Sequence, residues 1–231
     1  MFINPNRRLT RRVFLNVVCL ALLAVSAPAA LADELAVWNF NDSNLSVDHG
    51  SGTLATNINA VNVLFAAGTT NNARLGDSAG QSLSLQGGTG TANNGRHITF
   101  NVSTLGFANI TVSFATQGTS TGFNSNQFQY SLDGVTFIDF GLPYTPASAF
   151  GSVPLVFSLA GIVGLSDNPN AAFRILFNGA TSSTGTNRID NIVVEGTAAT
   201  TTSVPEPTTA ILLLSGLSGL YGVRKRRRAA K

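Results

Sequence analysis

The side chains of this 231-residue chain that could do chemistry are few and scattered. His49 and His97 are its two histidines and stand far apart, which excludes a multi-histidine zinc or iron site and leaves a nucleophilic triad one of them at most. Gly118-Thr119-Ser120-Thr121-Gly122 spells the Gly-x-Ser-x-Gly pattern of a nucleophile elbow. That elbow needs a strand before it and a helix after it, whereas a polar loop and another strand-like run follow Ser120. Asp42 and Asp190 are the candidate ligands of a structural Ca²⁺, an ion that collects about six to eight oxygens from carboxylates, amides and carbonyls. Asp42 follows the first apparent strand and Asp190 lies in the last, so a fold that returns its end beside its start brings them near each other. The competing reading makes Asp42 a turn former and Asp190 a partner of Arg188 or of backbone amides. No spacing singles out a carboxylate pair for glycoside hydrolysis. Glycan binding asks for aromatic platforms beside polar hydrogen-bonding groups on an exposed face. Trp38, Tyr130 and Tyr144 are the candidates, with Trp38 inside LAVWNF fitting a core better. His97 begins a strand-like run and reads as structural, and His49, in VDHGSG, reads as a solvated loop residue.

Whatever these residues do, strands must position them. From Asp33 to about Gly196 there is no amphipathic helical pattern, only short alternating runs separated by Gly, Asn, Ser and Thr. Ile98, Phe100 and Val102 share one face of a run; Ile110, Val112 and Phe114 share another; Phe128, Tyr130 and Leu132 a third. In FQYSLDGVTFIDF, Asp133-Gly134 supplies the positive-φ residues of a tight hairpin turn between two runs. Further runs at 35–40, 61–66, 82–86, 153–159, 172–178 and 188–194 bring the expectation to about ten strands. The chain is therefore expected to be all-β, an antiparallel sandwich of the jelly-roll kind with its phenylalanines between the sheets. The opening LAVWNFND and the late AFRILFNGATSSTGTNRIDNIVVEG also resemble concanavalin-like and MAM-like extracellular sandwiches, a resemblance that implies a closing strand returning beside the first.

Charge decides against one large class of partner. Ten of the 14 Lys and Arg lie in the flanks, and between Asp33 and Ser203 four arginines face ten carboxylates, a net of −6. A nucleic-acid surface needs positive charge toward the phosphates, so no nucleic-acid partner is expected. The single Cys19 falls in the N-terminal apolar run, which leaves the central domain neither thiol nor disulfide.

The two ends read as addresses. Residues 1–32 have a basic start, an apolar run from Val13 to Val25, and Ala30 and Ala32 framing a cleavage site before Asp33, the layout of a secretory signal peptide. Thr10 to Leu15 resembles the twin-arginine export motif, with Asn16 where that motif often has Lys; the general secretory route fits comparably. After the sandwich at 33–197 and a Thr-rich linker at 198–203, Thr208 to Val223 forms a short apolar stretch, about 24 Å long as a helix against a hydrocarbon core of about 30 Å. Arg224, Lys225, Arg226, Arg227 and Arg228 then hold its far end on the cytoplasmic side. Pro205-Glu206-Pro207, the apolar helix and this basic tail, in that order over 204–231, resemble the PEP-CTERM sorting signal of Gram-negative bacteria. The resemblance implies a precursor held in the inner membrane, recognition of Pro205, Glu206 and Pro207 by an exosortase, and delivery to the cell surface or extracellular matrix. The pattern also goes by the name of an ice-binding protein C-terminal domain, but the threonines around Thr181 to Thr186 show no fixed repeat. Taken together, the expectation is an exported, exosortase-sorted protein that acts through a non-catalytic binding or structural sandwich. An extracellular carbohydrate-binding module or a glycoside-active enzyme is the alternative.

Overall fold

A computed structural model describes residues 32–199. Residues 1–31, most of the expected signal peptide, and Pro205, Glu206, Pro207, the apolar stretch after them and the basic tail lie outside the described residues. Among those described, no helix is long and apolar enough to cross a membrane.

Twelve antiparallel strands form two sheets. The back sheet contains β1 (Ala32–Trp38), β2 (His49–Gly50), β4 (Val63–Ala67), β5 (Gln81–Gln86), β7 (Phe107–Gly118), β10 (Leu155–Ser158) and β12 (Thr186–Ala198). The front sheet runs β3 (Thr53–Thr56), β6 (Arg96–Asn101), β11 (Ala172–Phe177), β8 (Gln127–Ser131), β9 (Ile138–Asp139) in spatial order. From β5 onward the chain weaves between the sheets, and β12 closes the fold beside β1, as the closing strand was expected to do.

The period-2 alternation of the sequence generates the core, because successive side chains of a strand point to opposite faces. Ile98 and Phe100 of β6, Phe173, Ile175 and Phe177 of β11 and Phe128 of β8 meet Leu83, Leu85, Val112, Phe114 and Ile189 of the back sheet, all fully buried. Phe128 stacks on Phe157 with ring centroids 4.1 Å apart, joining β8 to β10 across the layers. Each such side chain removed from water contributes roughly 1.5–3 kcal/mol, and in a domain without disulfides this packing is the main source of stability.

The two sheets differ on their outer faces. On the back sheet, every residue from Ile189 to Val194 is buried, as are Ser113, Phe114 and Ala115, so alternation fails there. The segment 68–80 is the reason, since it lies over that face. Asn72 donates to Ser113 Oγ (3.0 Å) and the Asn191 carbonyl (2.7 Å), and Asn191 donates to the carbonyls of Thr69 (2.7 Å) and Asn71 (2.9 Å). Arg74 fastens the segment further, with Nε 3.2 Å from Glu34 and Nη2 3.3 Å from Glu195. The front sheet is less covered: its outward Thr53, Ala55 and Asn101 are exposed and its Thr99, Gln129 and Arg174 half-buried, while Gln127, Ser131 and Ala172 on the same face are buried.

Two sequence expectations need correction. There are twelve strands rather than about ten, because β2 and β3 are short and the Gly- and Ser-rich stretch around them gives little alternation. Asp133-Gly134 is not a two-residue hairpin turn. β8 and β9 pair Gln129 with Asp139 and Tyr130 with Ile138, which leaves a longer connection, 132–137. Gly134 does adopt positive φ (75°), but the Asp133 carboxylate organises the loop by accepting the amides of Val135 (2.8 Å) and Thr136 (2.7 Å).

Candidate functional site

With Phe100, Ile175 and Phe128 turned inward, pleating sends the alternate residues of the front sheet outward. The strand registers line them into rows. One row crosses all its strands as Ala55, Thr99, Arg174, Gln129 and Asp139, and the next runs Thr53, Asn101, Ala172 and Ser131. At the usual strand spacing the first row is about 19 Å long.

Arg174, on the middle strand β11, donates from Nε to Thr99 Oγ1 at 3.1 Å, and its Cζ lies 3.4 Å from the ring centroid of Phe137 in the 132–137 loop. Gln129 donates to Asp139 Oδ1 at 2.8 Å. Burial, and then the neighbouring Arg174 charge, hold the His97 imidazole below its usual range, so it is neutral near pH 7. Asp133 stays anionic, since the amides of Thr136 and Val135 and the Ser131 hydroxyl hold its carboxyl well below the usual carboxylate range. At the end of the face marked by Thr53 and Asn101 opens a pocket of about 400 Å³, where Ser51, Ser103, Asp133 and Asn170 add polar atoms around a floor of Val102, Pro169 and Ala171. Hydroxyls, amides, one guanidinium and one aromatic ring thus line a continuous, mostly polar surface on a rigid sheet. It can form many directed hydrogen bonds, and it carries no nucleophile paired with a base.

The candidates read from sequence fall elsewhere. Trp38 is fully buried, with its ring 6.0 Å from Phe100. Tyr144 packs on Phe114 and Phe157, and Tyr130 packs edge-on against Phe140. None of the three serves as an outward platform; the ring that meets the outward row is Phe137, which lies against the Arg174 guanidinium. Its sequence signal was its place in GVTFIDF, obscured by reading Asp133-Gly134 as a tight turn. His49 is not a solvated loop residue either, because β2 pairs it with Val37 and its Nε2 lies 3.4 Å from Asp77. Ser120 sits in the loop after β7, and β8 follows it rather than a helix. Gly122 of the same motif is explained by packing: a Cβ there would lie 2.2 Å from the Thr186 carbonyl oxygen.

Asp42 and Asp190 share no hydrogen-bond partner. Exposed Asp42 accepts from Asn44 Nδ2 at 2.5 Å, while buried Asp190 accepts the Thr69 amide on Oδ2 (2.7 Å) and the Asn191 amide on Oδ1 (2.9 Å). These are the amide bonds of the competing reading, and they direct donors rather than a cation at both Asp190 oxygens. Among the described residues no three of His, Cys, Asp and Glu converge as a metal-holding group. The fit to Ca²⁺ at this pair is therefore poor.

No family model matches the chain, and no curated protein matches it. Among solved structures it is similar to the xylan-binding CBM22-1 domain of Paenibacillus barcinonensis Xyn10C, at 11% identity and TM-score 0.45 over 74% of this chain and 99% of that one. It is also similar to TmCBM61, in complex with β-1,4-galactotriose, at 12% identity and TM-score 0.39 over 68% and 92% of the two chains. The mannan-recognising module TmCBM27 aligns at 9% identity and TM-score 0.40 over 72% and 99%.

Proposed function

We propose that this protein is an exported, non-catalytic carbohydrate-binding sandwich that holds extracellular polysaccharide on the outer face of its front sheet. The observation that carries the reading is the outward row Thr99, Arg174, Gln129 and Asp139 with Phe137 beside it, running into the polar pocket at Asn101 and Asp133. Sugars present rings of hydroxyls that donate and accept, and a flat face of hydroxyl, amide and guanidinium groups meets both needs. The Phe137 ring, stacked with the Arg174 guanidinium, holds that donor group on the face. The reading rests on this face and not on the distant similarity to xylan- and mannan-binding domains. A glycan array probed with the full chain tests it: retention on extended polysaccharides is expected, and retention on none contradicts it.

The resemblance of residues 204–231 to a sorting signal supports delivery outside the cell by an exosortase acting at Pro205, Glu206 and Pro207. An extracellular polysaccharide is then the ligand the domain would meet. Mass spectrometry of the termini of the protein from exosortase-containing and exosortase-deleted hosts checks this. The expectation is a chain that starts at Asp33 and ends near Pro205 to Pro207 only where the enzyme is present; an Arg-rich C-terminus in both hosts contradicts it.

A further inference from the structure

The arginines of the described domain are used in different ways. Arg74 bridges Glu34 and Glu195; Arg96 donates to the carbonyls of Ala92 and Asn57; Arg188 donates to the Ala67 carbonyl. Among the described residues Arg174, like Arg96 and Arg188, has no carboxylate within ion-pair distance; it differs in lying mid-sheet on the outward front row, where its Nε donates to Thr99 Oγ1 and not to a backbone carbonyl. The Arg174 side chain is half-buried, and no hydrogen-bond partner of its Nη atoms lies among the described residues. The Arg174 Cζ lies over the Phe137 ring at 3.4 Å from its centroid, a stacked contact that leaves the planar N–H fork for an acceptor in the guanidinium plane. In a domain where four arginines face ten carboxylates, a cation held in the middle of the open sheet without a protein counter-charge is available to a ligand.

We propose that Arg174, stacked on Phe137 and braced by Thr99, is an anion-reading subsite that takes the carboxylate of a uronic acid residue, so that the bound glycan is an acidic polysaccharide. The inference rests on the carbohydrate reading above. A planar, two-oxygen carboxylate matches the guanidinium fork, while a tetrahedral sulfate is better served by several converging cations. Arg174 has no such neighbour, since His97 is neutral there. Gln129 and Thr99 remain for the flanking hydroxyls, and the anionic Asp133 in the adjoining pocket is an acceptor for hydroxyls at that end. The net charge of the domain repels polyanions at long range, so recognition operates at contact distance and not through a diffuse basic surface.

Titration calorimetry of the full chain with oligogalacturonides, neutral oligogalactans and sulfated galactans tests this. Oligogalacturonides are expected to bind best. Arg174→Gln should weaken them about tenfold or more, as loss of a charge-assisted contact does. Arg174→Lys, which keeps the charge and loses the fork, should weaken them nearly as much, and both variants should lower uronate affinity by a larger factor than neutral-glycan affinity. Raising the salt to about 0.15 M screens the long-range repulsion and should leave uronate affinity unchanged or higher. Sulfated galactans binding as tightly as uronates, an unchanged Arg174→Gln, or a steep loss with salt would each overturn the subsite. Neutral glycans bound in preference to uronates would sink the subsite and leave the carbohydrate reading standing; no binding to any of the three would sink both.

Discussion

Asp190 is where burial and charge oppose each other most directly. Its side chain is 1% exposed, and burial pushes its carboxyl up to about 7 even though the amides of Thr69 and Asn191 favour the charged form. In the unfolded chain it titrates near 3.8, so between about pH 4 and 7 the folded protein holds a proton that the unfolded chain does not. Stability from this residue is therefore full below about pH 4, falls as pH rises to about 7, and is flat above, by a total on the order of 4 kcal/mol. Asp133, held low, has the opposite slope, but only below its unfolded value, outside this window. Urea unfolding from pH 4 to 8 is expected to show the wild type losing stability relative to Asp190→Asn as pH rises to about 7; a difference independent of pH would contradict the assignment. The sequence made Asp190 stand out by its place in the last strand, yet not its state. Burial comes from Gly68 and Thr69 on a distant segment, and nothing local in RIDNIVV announces it. Arg174 was equally silent, one alternate residue in FRILF whose partners Thr99 and Phe137 belong to other elements.

Among the elements, the front sheet owes its flat outer face to the aromatic layer beneath it. Phe128 stacks on Phe157 and on Phe173, with centroids 4.1 Å and 6.4 Å away, and so ties β8 to both β10 and β11. Phe128→Ala leaves a cavity that rigid strands cannot close, and a loss of about 3–5 kcal/mol in denaturant unfolding is expected; a loss under about 1 kcal/mol would mean the layer is loosely packed. The strands β1, β4 to β8 and β10 to β12 were legible because Phe, Ile, Leu and Val recur at every second position. The connection 132–137 was not. Asp133-Gly134 satisfies a short-turn rule locally, but the Asp133 carboxylate binds the amides of Val135 and Thr136, and the longer loop that results carries Phe137 under Arg174.

In the molecule as a whole, the sheets have unequal roles. Segment 68–80, pinned by Asn72, Arg74, Asp190 and Asn191, seals the back sheet, and the front sheet is left with its polar rows open. That asymmetry could not be read from the chain, since Gly68 to Gly80 looks like any polar linker until its contacts are seen. The proposed export, by contrast, rests on contiguous motifs at the two ends. The central claim, that glycan lies on the front sheet, is tested most directly by amide chemical-shift mapping of the full chain titrated with a glycan it retains. Shifts confined to Thr99, Asn101, Gln129, Arg174 and the 132–137 loop are predicted. Shifts concentrated on the back sheet or on segment 68–80, with the front rows unmoved, would contradict it.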